Sequence, residues 1–333
     1  MDNVTHTLTG LMLARAGLAR TTPRGGSLMM MLAANAPDLD VFVGLPGGLA
    51  YIEYHRGYAH SLLLAPVMAV IPLLLARWIR GASLNWRSYL ACVLGVLSHL
   101  ALDLTNVYGV RLLLPFSPRW LHLDITQIVD PWILLIFLIA IAAPALSGLV
   151  NSEIRGAKAE GPKRAWACVA LVALLGYEGF RFTAHQRAIA LMSAYRYGGD
   201  STPRFWAMPD GVSPLHWRGI IATADSVLDV PVDITADFDP DVEHNPGRIS
   251  YPAPESPALD AARATTPFQA FARFDQLPFW RVTPSDGLLR VDLIDLRFGT
   301  PSRPGFAVAT ALVTPDGHVR ETHFGLTLPP RVR

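Results

Sequence analysis

The sequence predicts a mainly α-helical membrane protein, a bundle of about six transmembrane helices followed by a soluble C-terminal α+β domain. Three observations lead there. Mean hydropathy is positive, at +0.30, and only 17% of the 333 residues are charged, against about 25% in a typical soluble chain. Long apolar runs fill the first half and stop near Phe182, whereas from about Asp200 the chain is rich in Pro, Asp and short alternating segments. Basic residues close these runs at every second loop, the pattern of cytoplasmic loops. The expected division is a transmembrane domain over residues 1–182 and an extracytoplasmic α+β domain over 200–333.

The membrane elements follow in order. From Thr5 to Ala19 an apolar stretch carries His6 near its start, ends in Arg20 and Arg24, and is broken by Gly25 and Gly26. A second run, Ser27 to Ala36, leads into Asn35-Ala36-Pro37-Asp38-Leu39-Asp40. Pro and two acids stop a helix there and set carboxylates at its far end. Both runs are short against the ~20 residues needed to cross about 30 Å of hydrocarbon, so they read as a tight hairpin extended by polar turns.

A Gly/Pro loop then precedes His55-Arg56-Gly57-Tyr58-Ala59-His60-Ser61, and the uncharged run Leu62 to Ala76 is closed by Arg77, Arg80 and Arg87. The central apolar helix opens at Ser88. After it a polar and aromatic loop, 106–126, includes Trp120, His122 and Asp124. Asp130-Pro131 leads into Trp132 to Val150, the clearest spanning segment. A basic loop with Arg155, Lys158, Lys163 and Arg164 precedes the last membrane helix, Ala165 to Tyr177. This alternation makes both the N-terminus and the region after Phe182 non-cytoplasmic.

In the soluble part, strand-like runs are expected at 219–230, 288–298, 306–313 and 319–326, with a helix over Thr266 to Leu277 and a Pro-rich linker at 251–257. Asp292 and Asp295 stand three residues apart in one of these runs, so one of them is expected to face solvent. Net charge is +1 and the Arg residues are scattered, so there is no concentrated footprint for nucleic acid and no such partner is expected. Cys92 and Cys168 fall inside apolar segments, where a small buried hydrophobe is the reading. The start, Met-Asp-Asn-Val-Thr-His, lacks a basic n-region, so a cleaved secretory signal is not expected.

The chemistry gathers on the central helix. His99 and Asp103 are four residues apart, a spacing that stacks both on one helix face, where an imidazole and a carboxylate can share a cation. Ionisable groups in an apolar helix are costly unless paired, metal-bound or facing water, so they mark a functional site. By the predicted topology His6, Asp38, Asp40, His55, His60, Asp103, Asp124 and Asp130 all lie at the outer ends of their segments, with His99 one turn below. Neutral imidazoles and carboxylates are the ligands zinc takes. His216, His244, His318 and His323 lack ligand spacing and read as surface residues.

These residues carry a resemblance. Thr5-His6, Pro37-Asp38-Leu39-Asp40, His55-Arg56-Gly57 with His60-Ser61, His99-Leu100-Ala101-Leu102-Asp103 and Asp130-Pro131 resemble the YdjM-type family of inner-membrane, predicted metal-dependent hydrolases, closely over residues 1–140. Through that family the chain is distantly similar to zinc-dependent phospholipase C and the S1/P1 nucleases. The resemblance implies His6, Asp38, His60 (or His55), His99 and Asp103 as ligands. It departs from the nuclease pattern after Asp103, where no second His pair follows. Asp124 and Asp130 are the substitutes, which leaves one to three ions of zinc or another divalent metal.

The expected function is that of a multi-pass hydrolase of the bacterial inner membrane. Metal-activated water would attack a phosphodiester or related ester of a lipid or lipid-linked substrate at the outer face. Asp40 is the first choice for general base and Asp130 the second, with Arg56 or Arg111 neutralising substrate charge. Two other classes compete: an ion or proton conductor using His99 and Asp103 as a relay, and a non-catalytic scaffold presenting the C-terminal domain. A conductor needs polar residues at several depths, and here they crowd one end.

Overall fold

The computed structural model describes residues 1–20, 22–44, 47–155, 162–197, 202–223, 226–240, 248–250, 255–300 and 305–325. Lys158 of the expected basic loop, residues 251–254 of the expected linker, and His244 lie outside them. The chain is half helical, with a C-terminal part built on antiparallel sheets.

Its helices are α1 (Asn3–Leu13), α2 (Gly26–Ala33), α3 (Gly48–Tyr54), α4 (Ala65–Met68), α5 (Val70–Arg80), α6 (Trp86–Thr105), α7 (Pro131–Arg155) and α8 (Lys163–Ala194). Short irregular pieces join them: a π-helical turn at Ala14–Leu18 and 3₁₀ segments at Pro37–Gly44 and Tyr58–His60. Among the described residues three helices, α6, α7 and α8, are long and apolar enough to cross a membrane. The pair Gly48–His60 and Ala65–Arg80, bent by 90°, makes a fourth if it is one broken span. Six crossings were expected. The shortfall comes from α1 and α2, at 11 and 8 residues, well under the ~20 of a span.

These short helices are held by contact with their neighbours. Two glycines set the distances, because a Cβ at Gly10 would lie 2.5 Å from the Met30 carbonyl oxygen and one at Gly95 would lie 2.7 Å from the Ala33 Cβ. Small residues let helix backbones close up in this way where lipid offers no hydrophobic drive. The buried positions of α6 include Ser88, Ala91, Cys92, Gly95, Val96, His99 and Asp103, a stripe at spacings of three and four. His6 stands one turn before Gly10 and His99 one turn after Gly95, so the tight crossings bring both imidazoles to the same end of the bundle.

Basic residues mark the opposite end. The turn at Gly25 packs on Arg80, and Arg164 Nε donates to the Ala16 carbonyl at 3.1 Å. Of the two cysteines, Cys92 is buried as expected, whereas Cys168 is exposed on the surface of the bundle.

Helix α8 runs past the last apolar residues to Ala194 and carries Ala184, Ala188 and Met192 into the C-terminal part, where they pack on Trp217, Ile221 and Val230. There, β1 (Arg204–Pro209), β2 (His216–Ala222), β3 (Ser226–Asp233) and β4 (Arg248–Ser250) form one antiparallel sheet in sequence order. Strands β5 (Pro278–Ser285), β6 (Leu288–Asp295), β7 (Val308–Val313) and β8 (Val319–Gly325) form a second. The expected run 219–230 is thus parts of two strands, closed by the Thr223 N–H on the Ser226 carbonyl at 2.9 Å.

Between β4 and β5 in the sequence come α9 (Pro257–Arg263) and α10 (Thr266–Phe274), which pack on the second sheet. Phe268, Phe271 and Phe274 of α10 are buried against Val291, Leu293, Ala309 and Ala311, each ring contributing about 1.5–3 kcal/mol. The same core includes Ile52, Tyr108 and Trp120 from the membrane half, so the two halves share a packed seam. Neither Asp292 nor Asp295 faces solvent. Asp292 is buried with Arg281, Arg290 and Thr310, and Asp295 with Arg297. Arginines on both sides of β6 let it bury acids on both faces.

Candidate metal centre

The last turn of α6 is where the chain converges. Its orphan carbonyls are taken up by the loop that follows: Leu104 O accepts from Leu123 N–H at 2.9 Å, and Thr105 O from Ile125 and Thr126 N–H at 2.9 and 3.1 Å. A buried helix end needs such partners. The loop 106–126 is thereby folded back over His99 and Asp103, both of which are fully buried.

Asp38 and Asp40 arrive from the other side. Pro37 ends α2 in a 3₁₀ turn, which Asn35 and Asn3 fix: Asn35 Nδ2 donates to Thr7 Oγ1 at 2.9 Å and Asn3 Nδ2 to Asp38 Oδ2 at 2.8 Å. His55 caps α3, and Arg56 then takes a left-handed φ of 56°, costly for a bulky side chain. Four contacts hold it there. Its N–H donates to Asp40 Oδ2 at 3.0 Å, Nη1 donates to Asn106 Oδ1 and Gly109 O at 3.1 Å each, and Nη2 pairs with Asp103 Oδ1 at 2.9 Å. The reversal brings His60 back under Asp40.

Four ligand atoms from three segments, the 3₁₀ pieces of Asp38 and His60 and the helix α6 of His99 and Asp103, then face one point. His60 Nε2 and His99 Nε2 are 3.1 Å apart. His99 Nε2 is 3.3 Å from Asp103 Oδ2 and 3.5 Å from Asp38 Oδ1. His60 Nε2 is 3.4 Å from Asp38 Oδ1 and 3.5 Å from Asp103 Oδ2. Tetrahedral zinc with bonds of about 2.0–2.2 Å has ligand-to-ligand edges of about 3.3–3.6 Å. The five separations, 3.1–3.5 Å, therefore lie close to the edges a divalent ion requires.

The partners behind the rings agree. His99 Nδ1 lies 2.8 Å from the Ala34 carbonyl, which only accepts, so that nitrogen carries the proton and Nε2 presents its lone pair inward. His60 Nδ1 lies 3.0 Å from Asp40 Oδ2, though not at the angle of a hydrogen bond. Asp103 Oδ2 and both nitrogens of His6 are buried without a partner, a rare condition that a cation relieves for the carboxylate and for an inward lone pair. His6 stacks on His99 at 3.8 Å, with Nε2 3.4 Å from Asp103 Oδ1, and the Met1 amine also pairs with that oxygen. The donor set fits a divalent ion.

Asp38, Asp40 and His55 make a second set of ligand atoms within 4.8 Å of one another, with His55 Nδ1 2.7 Å from Asp40 Oδ1. Burial pushes the carboxyls of Asp38 and Asp40 up, but contacts from His60 and His99 on the first, and from His55 and His60 on the second, outweigh it and hold both below their usual range. Both acids are ionised at neutral pH.

The cluster opens on a cleft at Asp38. A cleft of about 280 Å³ is lined by Asp2, Asn3, Asp38, Val41, Tyr51, His55, Arg56, Tyr108 and, from the C-terminal half, Phe306. Asp38 is 14% exposed, whereas His60, His99 and Asp103 are at 0%, so the cleft reaches the ligands at Asp38. A larger groove of about 460 Å³ runs along β2 and β3, where Arg218 is already paired with Asp229 through two contacts of 2.8 Å.

His6, Asp38, Asp40, His55, Arg56, His60, His99 and Asp103 thus stand together. Asp124, Asp130 and Arg111 stand elsewhere. Asp124 pairs with His122 at 2.7 Å. Asp130 caps α7, accepting from Trp132 and Ile133 N–H at 3.0 and 3.3 Å, and accepts from the Tyr177 hydroxyl at 3.0 Å. Arg111 donates to the Glu53 carbonyl and lies over Trp120. Sequence reasoning missed Asn3, Asn106 and Tyr108. For Asn106 a signal existed, three residues after Asp103, but an amide orienting an arginine has no spacing rule.

Fold and cluster together define a helical membrane protein with a buried His/Asp centre at one end of its bundle and a β-sheet half docked over that end. The chain belongs to the YdjM inner membrane protein family, which matches residues 1–188 and so includes every residue of the centre. It is also similar to the uncharacterized protein YfhP of Bacillus subtilis (strain 168), at 25% identity over 340 residues, covering 98% of this chain and 95% of that one. No solved structure matches. Family and apolar helices alike place the protein in the inner membrane.

Proposed function

We propose that the chain is a membrane-embedded, metal-dependent hydrolase acting on a phosphodiester or related ester of a lipid or lipid-linked substrate. The observation that carries the reading is the set of five separations of 3.1–3.5 Å among His60, His99, Asp38 and Asp103. His60, His99, Asp38 and Asp103 would hold a divalent ion, which would supply an acidified water and polarise a phosphoryl or acyl oxygen.

The remaining roles belong to the chain. The Ala34 carbonyl orients the His99 imidazole, and the Asp40 carboxylate stands beside His60 Nδ1 at 3.0 Å. Asp40 is the general base, taking a proton through His55, whose Nδ1 it holds and whose ring lines the cleft. Arg56 is spent on Asp103, Asn106 and Gly109, and offers its charge to the cleft from a fixed position.

The surroundings support a lipid or lipid-linked substrate. Val41, Phe42 and Val43, on the segment that carries Asp38 and Asp40, are exposed apolar side chains, and Val41 is in the wall of the cleft. An amphiphile entering from the bilayer meets them first. The basic turns at the opposite end support a cytoplasmic position for that end by the positive-inside rule, with the cleft at the outer face.

Purified protein in detergent, with its metal content measured, is the test. Turnover of a phosphodiester or phospholipid by the wild type, lost with the metal in His99→Ala, is the expected result. A metal-loaded wild type that turns over nothing across a broad panel of phosphoesters and lipid esters sinks the hydrolase reading and leaves the metal centre standing.

A further inference from the structure

Tyr108 is only 3% exposed, and its hydroxyl is buried with no hydrogen-bond partner. Such a group bears the full desolvation of a polar atom and gets nothing back from the protein. It cannot turn away to find a partner. Phe274 at 4.9 Å, Phe306 at 5.8 Å, Phe298 at 5.9 Å and Trp120 at 6.0 Å pack around the ring, and the Arg56 guanidinium lies over its face at 4.5 Å. The backbone is pinned as well: Tyr108 N–H donates to Asn106 Oδ1 at 2.9 Å, and its carbonyl accepts from Arg297 Nη1 at 3.0 Å.

A Phe would pack as well among these rings. The hydroxyl therefore needs another reason, and its place supplies one. Tyr108 lines the cleft together with Asp38, His55 and Arg56. Arg56 Nε is likewise buried without a partner. Two unused donors, one of them cationic, thus lie buried just behind the wall, on residues that line the cleft next to the metal ligands. Burial pushes the phenol of Tyr108 up, so it stays a donor and is no nucleophile.

We propose that the Tyr108 hydroxyl is a substrate-binding residue: it donates a hydrogen bond to a non-bridging oxygen of a phosphoryl group seated in the cleft, with Arg56 Nε as the second donor. This rests on the metal reading, because without a cation the carboxylates of Asp38, Asp40 and Asp103 repel an anion from the same place. It also gives the C-terminal half a part in the site. Phe274, Phe298, Phe306 and Arg297 all come from that half, and they fix the Tyr108 ring where it stands.

The test uses the full chain in detergent, loaded with zinc, and inorganic phosphate as the probe, followed by titration calorimetry. Tyr108→Phe is expected to keep the zinc content and to bind phosphate about tenfold or more weakly, the scale of a hydrogen bond to a charged group. Its thermal midpoint without phosphate is expected to be unchanged or higher, because a stranded hydroxyl has been removed. Equal phosphate affinity in variant and wild type, or no phosphate binding by zinc-loaded wild type, overturns the proposal while leaving the metal centre intact. A lowered midpoint makes the hydroxyl structural and overturns it as well. A wild type that takes up no divalent ion removes the metal reading, and this one with it.

Discussion

His60 Nε2 and His99 Nε2 face each other at 3.1 Å, brought from 39 residues apart into a fully buried site. His99 Nδ1 faces the Ala34 carbonyl at 2.8 Å, so Nε2 is the nitrogen turned to the centre. Two carboxylates share the same point at 3.3–3.5 Å. A cation is the common partner that satisfies all four atoms.

Metal content is therefore the first expectation. Wild-type protein purified without chelator should carry a divalent ion, and His99→Ala or Asp38→Asn should weaken its binding by more than the 10–100-fold of an outer-shell loss. Asp103 is a poorer choice for truncation to Ala, because Arg56 would be left buried and unpaired at a cost of about 3–5 kcal/mol; Asp103→Asn is the better probe. Elemental analysis decides, and full occupancy in His99→Ala would remove that imidazole from the ligand set.

Asp40→Asn separates positioning from ligation. Asp40 Oδ1 takes His55 Nδ1 at 2.7 Å and Oδ2 takes Arg56 N–H at 3.0 Å, so an amide can satisfy only one of the two donors. Hydrolysis should fall by about 10²-fold with the metal retained. If metal content collapses instead, Asp40 is itself a ligand and the base lies elsewhere.

Much of this centre was legible because the relevant rules are local. His99 and Asp103 share a helix face at i, i+4, and Pro37 announces the helix end that carries Asp38 and Asp40. Two matters were not local. Whether Asp130 serves the centre or caps α7 depends on which way the chain enters the helix, and Asp-Pro reads the same in both cases. The length of α1 and α2 is tolerated only because Gly10 and Gly95 admit Met30 and Ala33, a tertiary fact. Beyond Phe182 the apolar run stops, yet α8 continues, since Ala184, Ala188 and Met192 face a sheet and need no lipid-like surroundings. Tyr108 carried no signal: its environment is assembled from both halves of the chain.

The seam between those halves should depend on Arg297. Its guanidinium is buried, donating to Asp295 at 2.9–3.0 Å, to the carbonyls of Val107 and Tyr108 at 3.1 and 3.0 Å, and to that of Phe274 at 3.1 Å. Arg297→Ala leaves Asp295 uncompensated and frees the loop after α6. A loss of about 3–5 kcal/mol is expected, read as a lower thermal midpoint in detergent together with new protease cleavage near residues 107–110. An unchanged midpoint would show that aromatic packing alone holds the seam.

Asp275 gives the seam a pH dependence. Its carboxyl is buried, Oδ2 has no hydrogen-bond partner, and Oδ1 accepts from Leu277 N–H at 3.0 Å. Burial first, and the neighbouring Asp295 carboxylate second, push its pKa well above the usual carboxyl range, against the opposing pull of Arg297. A carboxyl whose pKa is higher folded than unfolded binds its proton more tightly in the native state. Its contribution is then fully present below the unfolded value of about 3.9 and is lost as pH rises toward the folded one, by up to ~1.4 kcal/mol per pH unit. Asn at this position keeps the acceptor for Leu277 and never ionises. Asp275→Asn should match the wild type near pH 4 and exceed it increasingly toward pH 8. Thermal unfolding of both proteins across that range is the measurement, and parallel curves, or a variant less stable at pH 8 than at pH 4 relative to wild type, would show that Asp275 is ionised in the folded protein.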